Sequence, residues 1–276
     1  MEATGGVITD NGSYKVHTFA SSGNFTVYGK GTVKVLVVGG GANSPYSAAG
    51  GCGGAGQVLY DAAFAVSTGI YAITINGVGG TSIFSTMTAA AGSGSTSGAG
   101  HTKGSDAGGP YGSSYGAGGG SAANGGNAYN IGDWTVGGTA GAGTTNSITG
   151  ASLVYACGGS GGPAGGGSNF SGVHGSRLYG DGQGSNYFIW GGGQINPCPA
   201  LGGVVIISFI PAAAGCGLKI GSDHIVGETL DATHKVRFNK NGTIIGLPLV
   251  ATDNALASKV RIYDGAAVKS LVKAPA

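Results

Sequence analysis

The chain has 276 residues, of which 62 are glycine and 9% are charged, and its formal net charge is +2. That balance lacks the basic excess that nucleic-acid binding draws on, and the positive mean hydropathy is unlike that of a disordered polyelectrolyte. The longest apolar run, 204–210, is far short of the roughly 20 residues a membrane-spanning helix needs, so no membrane insertion is expected.

The opening Met-Glu-Ala-Thr-Gly-Gly has neither the basic nor the apolar region of a secretory signal, so export by that route is not expected. Residues 14–38 read as three strands, with turns at Ser21-Ser22-Gly23 and Tyr28-Gly29-Lys30-Gly31. The reason is that β-branched and aromatic residues cluster there between glycine punctuation. Residues 57–60 and 69–75 read as two further strands, and 82–84 and 152–156 as short ones. The segment 204–210 is apolar almost throughout and reads as a central strand. No segment before 211 shows helical periodicity. Many short strands joined by glycine-rich turns predict an all-β fold, a sandwich or jelly roll.

Glycine crowds into 39–203, between these apolar strands. Ordering a glycine costs about 0.5–1 kcal/mol more than ordering an alanine, so the tracts either stay unordered or order in a way that only glycine permits. Gly/Ser composition by itself reads as flexible linker. Against that, Tyr111, Tyr115, Tyr129, Trp134, Phe170, Tyr187 and Trp190 interrupt the tracts, and a spacer has no use for them. The ordered alternative is a bundle of extended threefold helices of the polyglycine-II kind. An isolated helix of this shape leaves its backbone groups free, and glycine lets neighbours approach closely enough to satisfy them. Collagen is excluded, because runs such as Gly-Gly-Ser-Gly-Gly-Pro-Ala-Gly-Gly-Gly keep no three-residue register.

Charge marks a boundary. Residues 1–214 hold five Lys/Arg and six Asp/Glu, whereas 215–276 hold eight and five. Ile210-Pro211-Ala212-Ala213-Ala214-Gly215 lies at the step and reads as a linker, which predicts domains at 1–211 and 212–276. In the second, strands at 235–238 and 243–245 flank an Asn241-Gly242 turn. Residues 259–263 and 267–272 flank Asp264-Gly265. This predicts a small antiparallel β domain for anchoring or oligomerisation.

Few motifs carry chemistry. Val35-Leu36-Val37-Val38-Gly39-Gly40-Gly41 starts like a dinucleotide-binding unit, but Ala42-Asn43-Ser44-Pro45 follows where a helix is required. Tyr179-Gly180-Asp181-Gly182-Gln183-Gly184 is a single copy of what a calcium-binding repeat needs many times. His174, Ser176 and Asp181 lack the flanks of a nucleophile elbow. Cys52, Cys157, Cys198 and Cys216 form no Cys-x-x-Cys pair and the five histidines no ligand pair, so the thiols are expected free and buried, with no metal site. No catalytic residue and no cofactor is expected. What remains is aromatic side chains among Gly, Ser and Asn, the composition of binding loops. It points to Tyr111, Tyr115, Tyr129, Trp134, Tyr187 and Trp190 as contact residues on 105–116, 127–138 and 168–193.

The order Val16-His17-Thr18-Phe19, Phe25-Thr26-Val27, Val33-x-Val35-Leu36-Val37-Val38-Gly39-Gly40-Gly41, Gly-Gly-Ala-Gly and Gly202-Gly203-Val204-Val205-Ile206-Ile207 resembles the glycine-rich domain of bacteriophage tail fibres and adhesins. The resemblance covers roughly residues 6–210. It implies a β-sandwich with polyglycine-II-like inserts, carried in the virion after assembly in the host cytoplasm. The implied job is attachment, with a host-surface glycan or outer-membrane protein and other virion proteins as partners and a homotrimer as the expected assembly. The alternative expectation is a purely architectural part, a head decoration or fibre shaft.

Overall fold

The structure, a computed structural model, describes residues 1–44, 52–109, 112–131, 134–162, 178–185 and 197–211. Beyond these it describes the backbone of six strands in 219–270. The chain divides into two compact units, Met1–Pro211 and Ala212–Ala276. It is all-β: among the described residues there is no helix, and every strand pairing is antiparallel.

Strands follow one another closely at the start. They are β1 (Glu2–Thr4), β2 (Val7–Asn11), β3 (Tyr14–Phe19), β4 (Gly23–Tyr28), β5 (Gly31–Val38), β6 (Val58–Val66), β7 (Gly69–Ile75), β8 (Ser82–Phe84) and β9 (Met87–Ala89). Short paired strands come next: β10 (Ala107–Gly109) with β11 (Gly112–Ser114), β12 (Tyr129–Ile131) with β13 (Trp134–Val136), β14 (Thr144–Asn146) with β15 (Leu153–Tyr155), and β16 (Gly184–Ser185) with β17 (Pro197–Cys198). The first unit closes on β18 (Val204–Phe209).

Two five-stranded sheets result, ordered β1-β4-β7-β8-β9 and β2-β3-β18-β5-β6. Their inner faces meet in one core. Phe25, Val27, Ile73, Phe84 and Ala89 come from the first sheet, and Phe19, Val33, Val35, Val37, Val205, Ile207 and Phe209 from the second. The alternation in β5 shows why: Val33, Val35 and Val37 point into this core, while Leu36 and Val38 point to the opposite face. That opposite face is covered as well. Ala55, Ile148, Tyr155 and Ala156 lie against Val16, Leu36, Val38, Val204 and Ile206, so β18 is buried at all six positions. A strand buried on both faces needs no polar alternation.

The covering layer is made of glycine-rich segments that pair with their neighbours outside the strands. Residues 52–57 show how. Gly53 and Gly56 donate their N–H groups to Gln183 and Gly180, Gly54 and Gln57 to Gly94 and Ala90, and Cys52 and Ala55 to Ser160 and Gly119. Residues three apart therefore bond to the same neighbour in two of these series. Gly39 and Ala42 repeat the pattern toward Gln57 and Gly54. At Gly41, Gly54, Gly56 and Gly159 a Cβ would fall closer than 3.0 Å to the backbone of the adjacent segment, although none of them has a left-handed φ. Close approach, rather than an unusual backbone, is what excludes side chains there. Buried Asp181 braces the layer, its carboxylate accepting from the N–H groups of Cys157 (2.8 Å) and Leu178 (3.1 Å).

His17 lies in the main core between Phe25 and Phe209, with ring centroids 5.2 and 5.5 Å away. Its Nδ1–H donates to the Gly5 carbonyl at 2.7 Å, which fixes the tautomer, and Nε2 has no protein partner. Burial pulls its pKa below 6.5, against the raising effect of the Gly5 bond.

In the second unit β19 (Lys219–Ile220) pairs with β20 (Asp223–His224), β21 (Lys235–Lys240) with β22 (Thr243–Pro248), and β23 (Arg261–Asp264) with β24 (Ala267–Ser270). Lys240 stands opposite Thr243, and Asp264 opposite Ala267.

Candidate functional site

The glycine layer carries two hairpins side by side, β10–β11 and β12–β13. Their roots are held by the layer's own backbone. Tyr115 N–H donates to Gly162 (2.8 Å), Gly138 N–H to Tyr115 (3.1 Å) and Ala128 N–H to Ser105 (2.8 Å). Side chains complete the clamp where glycine cannot: Asn124 and Asn127 accept from the N–H groups of Thr102 and Ser105, each at 2.9 Å. Between the hairpins, the buried hydroxyls of Ser114 and Thr135 share a hydrogen bond of 2.8 Å. Asn130 Nδ2 donates across to the Gly108 carbonyl at 3.1 Å. Two three-residue pairs that are marginal alone are thereby joined on a fixed base.

The first hairpin's root is the charged part of the site. Lys103 is ion-paired with Asp106, Asp106 also accepts from Gly116 N–H (2.8 Å), and the Lys103 ammonium lies 5.8 Å from the Tyr115 ring centroid. Beyond this root, Asp133 is the single charged residue in 107–114 and 129–136. The exposed side chains of β12, Tyr129, Asn130 and Ile131, are accordingly aromatic, amide and aliphatic.

The structure distributes the aromatic candidates unevenly. Tyr129 is 53% exposed on β12 and Ile131, two residues on and so on the same side of the strand, is 55% exposed. Trp134 stands directly opposite Ile131 in the β12–β13 register, as Tyr129 does opposite Val136. Tyr115 is half-buried at the root, beside Lys103. Tyr111, Tyr187 and Trp190 lie outside the described residues. Ile131 escapes a reading that looks for Tyr and Trp; its exposure comes from the strand, which is open to solvent at all three positions.

Of the motifs weighed above, Gly39, Gly40 and Gly41 enter the backbone network, donating to Gln57, Gly80 and Leu201. Asp181 is engaged with two backbone N–H groups, and His174 and Ser176 lie outside the described residues. Cys52 is a buried free thiol whose pKa burial pushes up, with the Ser95 hydroxyl 3.9 Å from its sulfur pulling the other way. Among the described residues no group of His, Cys, Asp and Glu could hold a metal, and no helix is long and apolar enough to cross a membrane. What the paired hairpins can do chemically is bind: bury aromatic and aliphatic area against a partner and exchange hydrogen bonds with it. Comparison of the chain with protein-family models, with curated proteins and with solved structures finds no match.

Proposed function

We propose that this chain is a structural protein of a bacteriophage virion, a tail-fibre or adhesin-type component that presents glycine-borne loops for attachment to the host surface. In this reading the first unit is a jelly-roll-like sandwich, and its covering layer is a polyglycine-II-like lattice. The return of the hydrogen bonds of residues 53, 54, 56 and 57 to the same neighbours every third residue supports the lattice, because a threefold extended helix points successive N–H groups in three directions. The observation that carries the attachment reading is the exposure of Tyr129 and Ile131 on hairpins locked to a rigid base. Large side chains held in place bind with little further loss of entropy. Trp134, opposite Ile131, belongs to the same contact surface, with Tyr111, Tyr187 and Trp190 as further contacts.

The partner is a host-surface glycan or an outer-membrane protein, and the second unit anchors the chain to other virion proteins, most simply in a trimer. The role is recognition without catalysis and without a cofactor. Purified protein is expected to bind host cells, and Tyr129→Ala and Trp134→Ala to weaken that binding about tenfold or more, the loss typical of a central interface aromatic. Adsorption that is unchanged in both variants, or in particles lacking the protein, overturns the attachment role and leaves an architectural one.

A further inference from the structure

The chain contains four Asn-Gly pairs, of which Asn241-Gly242 lies outside the described residues. Such a pair has a chemistry of its own. Glycine carries no side chain to shield its nitrogen, which is therefore able to reach the carboxamide of the preceding asparagine. The three described pairs are held very differently. At Asn124-Gly125 both reacting groups are engaged: Asn124 Oδ1 accepts from Thr102 N–H and Gly125 N–H donates to the Thr102 carbonyl, each at 2.9 Å. At Asn76-Gly77 the carboxamide alone is held, Nδ2 donating to Thr81 Oγ1 at 3.1 Å. At Asn11-Gly12 neither group has a hydrogen-bond partner among the described residues.

We infer that Asn11-Gly12 is a self-modifying site, where the Gly12 nitrogen displaces the Asn11 amide and the product loosens β2 from β3. The site is independent of the attachment role proposed above. Asn11 is the last residue of β2, an edge strand exposed at all five positions. Because Asn11 pairs with Tyr14, Gly12 and Ser13 form a two-residue hairpin turn. Gly12 has a φ of 58°, and a Cβ added there would meet nothing within 4 Å, so the turn stands clear of the rest of the molecule. The Asn11 carboxamide lies along Gly150 without bonding to it. Attack requires Asn11 to rotate out of its extended conformation. That motion opens the terminal Asn11–Tyr14 pair, the end of a ladder, where local opening costs least. At Asn124 it has to break both bonds to Thr102 as well.

The reaction needs base and water and no other reagent. The Gly12 N–H gives its proton to hydroxide, and the nitrogen bonds to Asn11 Cγ. The Cγ–Nδ2 bond breaks and ammonia leaves, taking a proton from solvent. Water then opens the cyclic imide at either carbonyl. Opening at the side-chain carbonyl yields aspartate; opening at the main-chain carbonyl yields isoaspartate, whose backbone runs through Cβ and is one carbon longer. Both products place a negative charge next to Asp10. Isoaspartate also lengthens a turn that has no slack, so β2 comes away from the turn end first.

Trypsin releases residues 1–15 as a peptide in which Asn11 is the only amide side chain. The full chain, aged in mildly alkaline H2 18O and digested, is expected to yield this peptide with its amide replaced by an 18O-labelled carboxylate. Two chromatographic forms should separate, aspartyl and isoaspartyl. Conversion is expected to run about tenfold or more ahead of Asn124, with Asn76 between the two. Mildly acidic buffer should slow it, since the nitrogen attacks after losing its proton. Asn11→Gln, which keeps the carboxamide on a longer arm, is expected to leave the peptide unconverted. Hydrogen exchange across 1–15 should be faster in the converted protein than in the fresh one, with 204–209 unchanged. A peptide that stays unmodified in the folded chain, or that converts no faster than Asn124, overturns the site. Unchanged exchange after conversion overturns the loosening of β2.

Discussion

At Gly159 the segment 156–162 passes so near the Gln183 carbonyl that there is no room for a methyl group, and neither backbone can yield without breaking hydrogen bonds. Gly159→Ala is therefore expected to cost about 1–3 kcal/mol, the range for overpacking a close-packed interior. In a thermal scan that reads as a fall of about 2–4 °C per kcal/mol for a domain of this size. Gly108, with nothing within 4 Å of the same added carbon, is the control: Gly108→Ala should leave the melting temperature unchanged. Composition displays every glycine alike, so the difference between these two positions is invisible until the neighbouring segment is in place. His17 gives a second expectation. Its imidazole is protonated near 6.5 when unfolded, and burial lowers that value in the folded state. Below pH 6.5 the unfolded chain binds the additional proton first, so this contribution to stability is intact above 6.5 and is lost as the pH falls toward the depressed folded value. Urea midpoints should drop from about pH 7.5 to about pH 5, and drop less in His17→Phe. That variant starts lower, because the Gly5 carbonyl loses its donor. An equal drop in both proteins would assign the acid sensitivity elsewhere.

The strands that β-branched and aromatic residues announce are present: β3, β4, β5, β6, β7, β8, β15 and β18 all overlap segments legible in the sequence. Those that escape it are of another kind. β1, β2 and β9 are short edge pieces whose pairing comes from a partner strand, β10, β11 and β14 are Gly-, Ser- and Thr-rich pieces without a hydrophobic pattern, and β12 and β13 are three-residue pieces too short for their alternation to stand out. Their pairing is fixed by backbone groups, which every residue carries, so no side-chain signal announces it. The candidate site divides the same way: Tyr129 and Trp134 stand out by composition, but the union of two hairpins through Ser114 and Thr135 does not. Asp181, in a lone Gly180-Asp181-Gly182 to which the sequence assigns no chemistry, is in the fold a brace between Cys157 and Leu178. Asp181→Ala strands two N–H groups in a buried layer, at about 1–3 kcal/mol each. The expected result is a large loss of thermal stability measured by circular dichroism. A melting temperature within a degree of the parent would mean that water takes over both bonds.

Across the first unit, three layers share a middle one. The sheet containing β18 faces the other sheet on one side and the glycine layer on the other, so neither outer layer can be removed without exposing valine, leucine and isoleucine to water. The connectivity of that middle sheet is the part of the architecture that no local pattern reveals. Its order, β2-β3-β18-β5-β6, places the last strand of the unit between two of the first, with β18 hydrogen-bonded to β3 along one edge and to β5 along the other. Time enters here. A chain emerging from the ribosome delivers β3 and β5 early and must wait until residues 204–209 arrive before the two can be joined. Through that interval both strands show open edges, and the glycine segments lack the surface they will cover. Non-local closure of this sort is slow, and unpaired edges held open during synthesis are where aggregation starts. The described glycine-rich residues that follow β9 have little apolar patterning to offer those waiting edges, and in the finished protein they spend their backbone groups on one another and on the segments beside them.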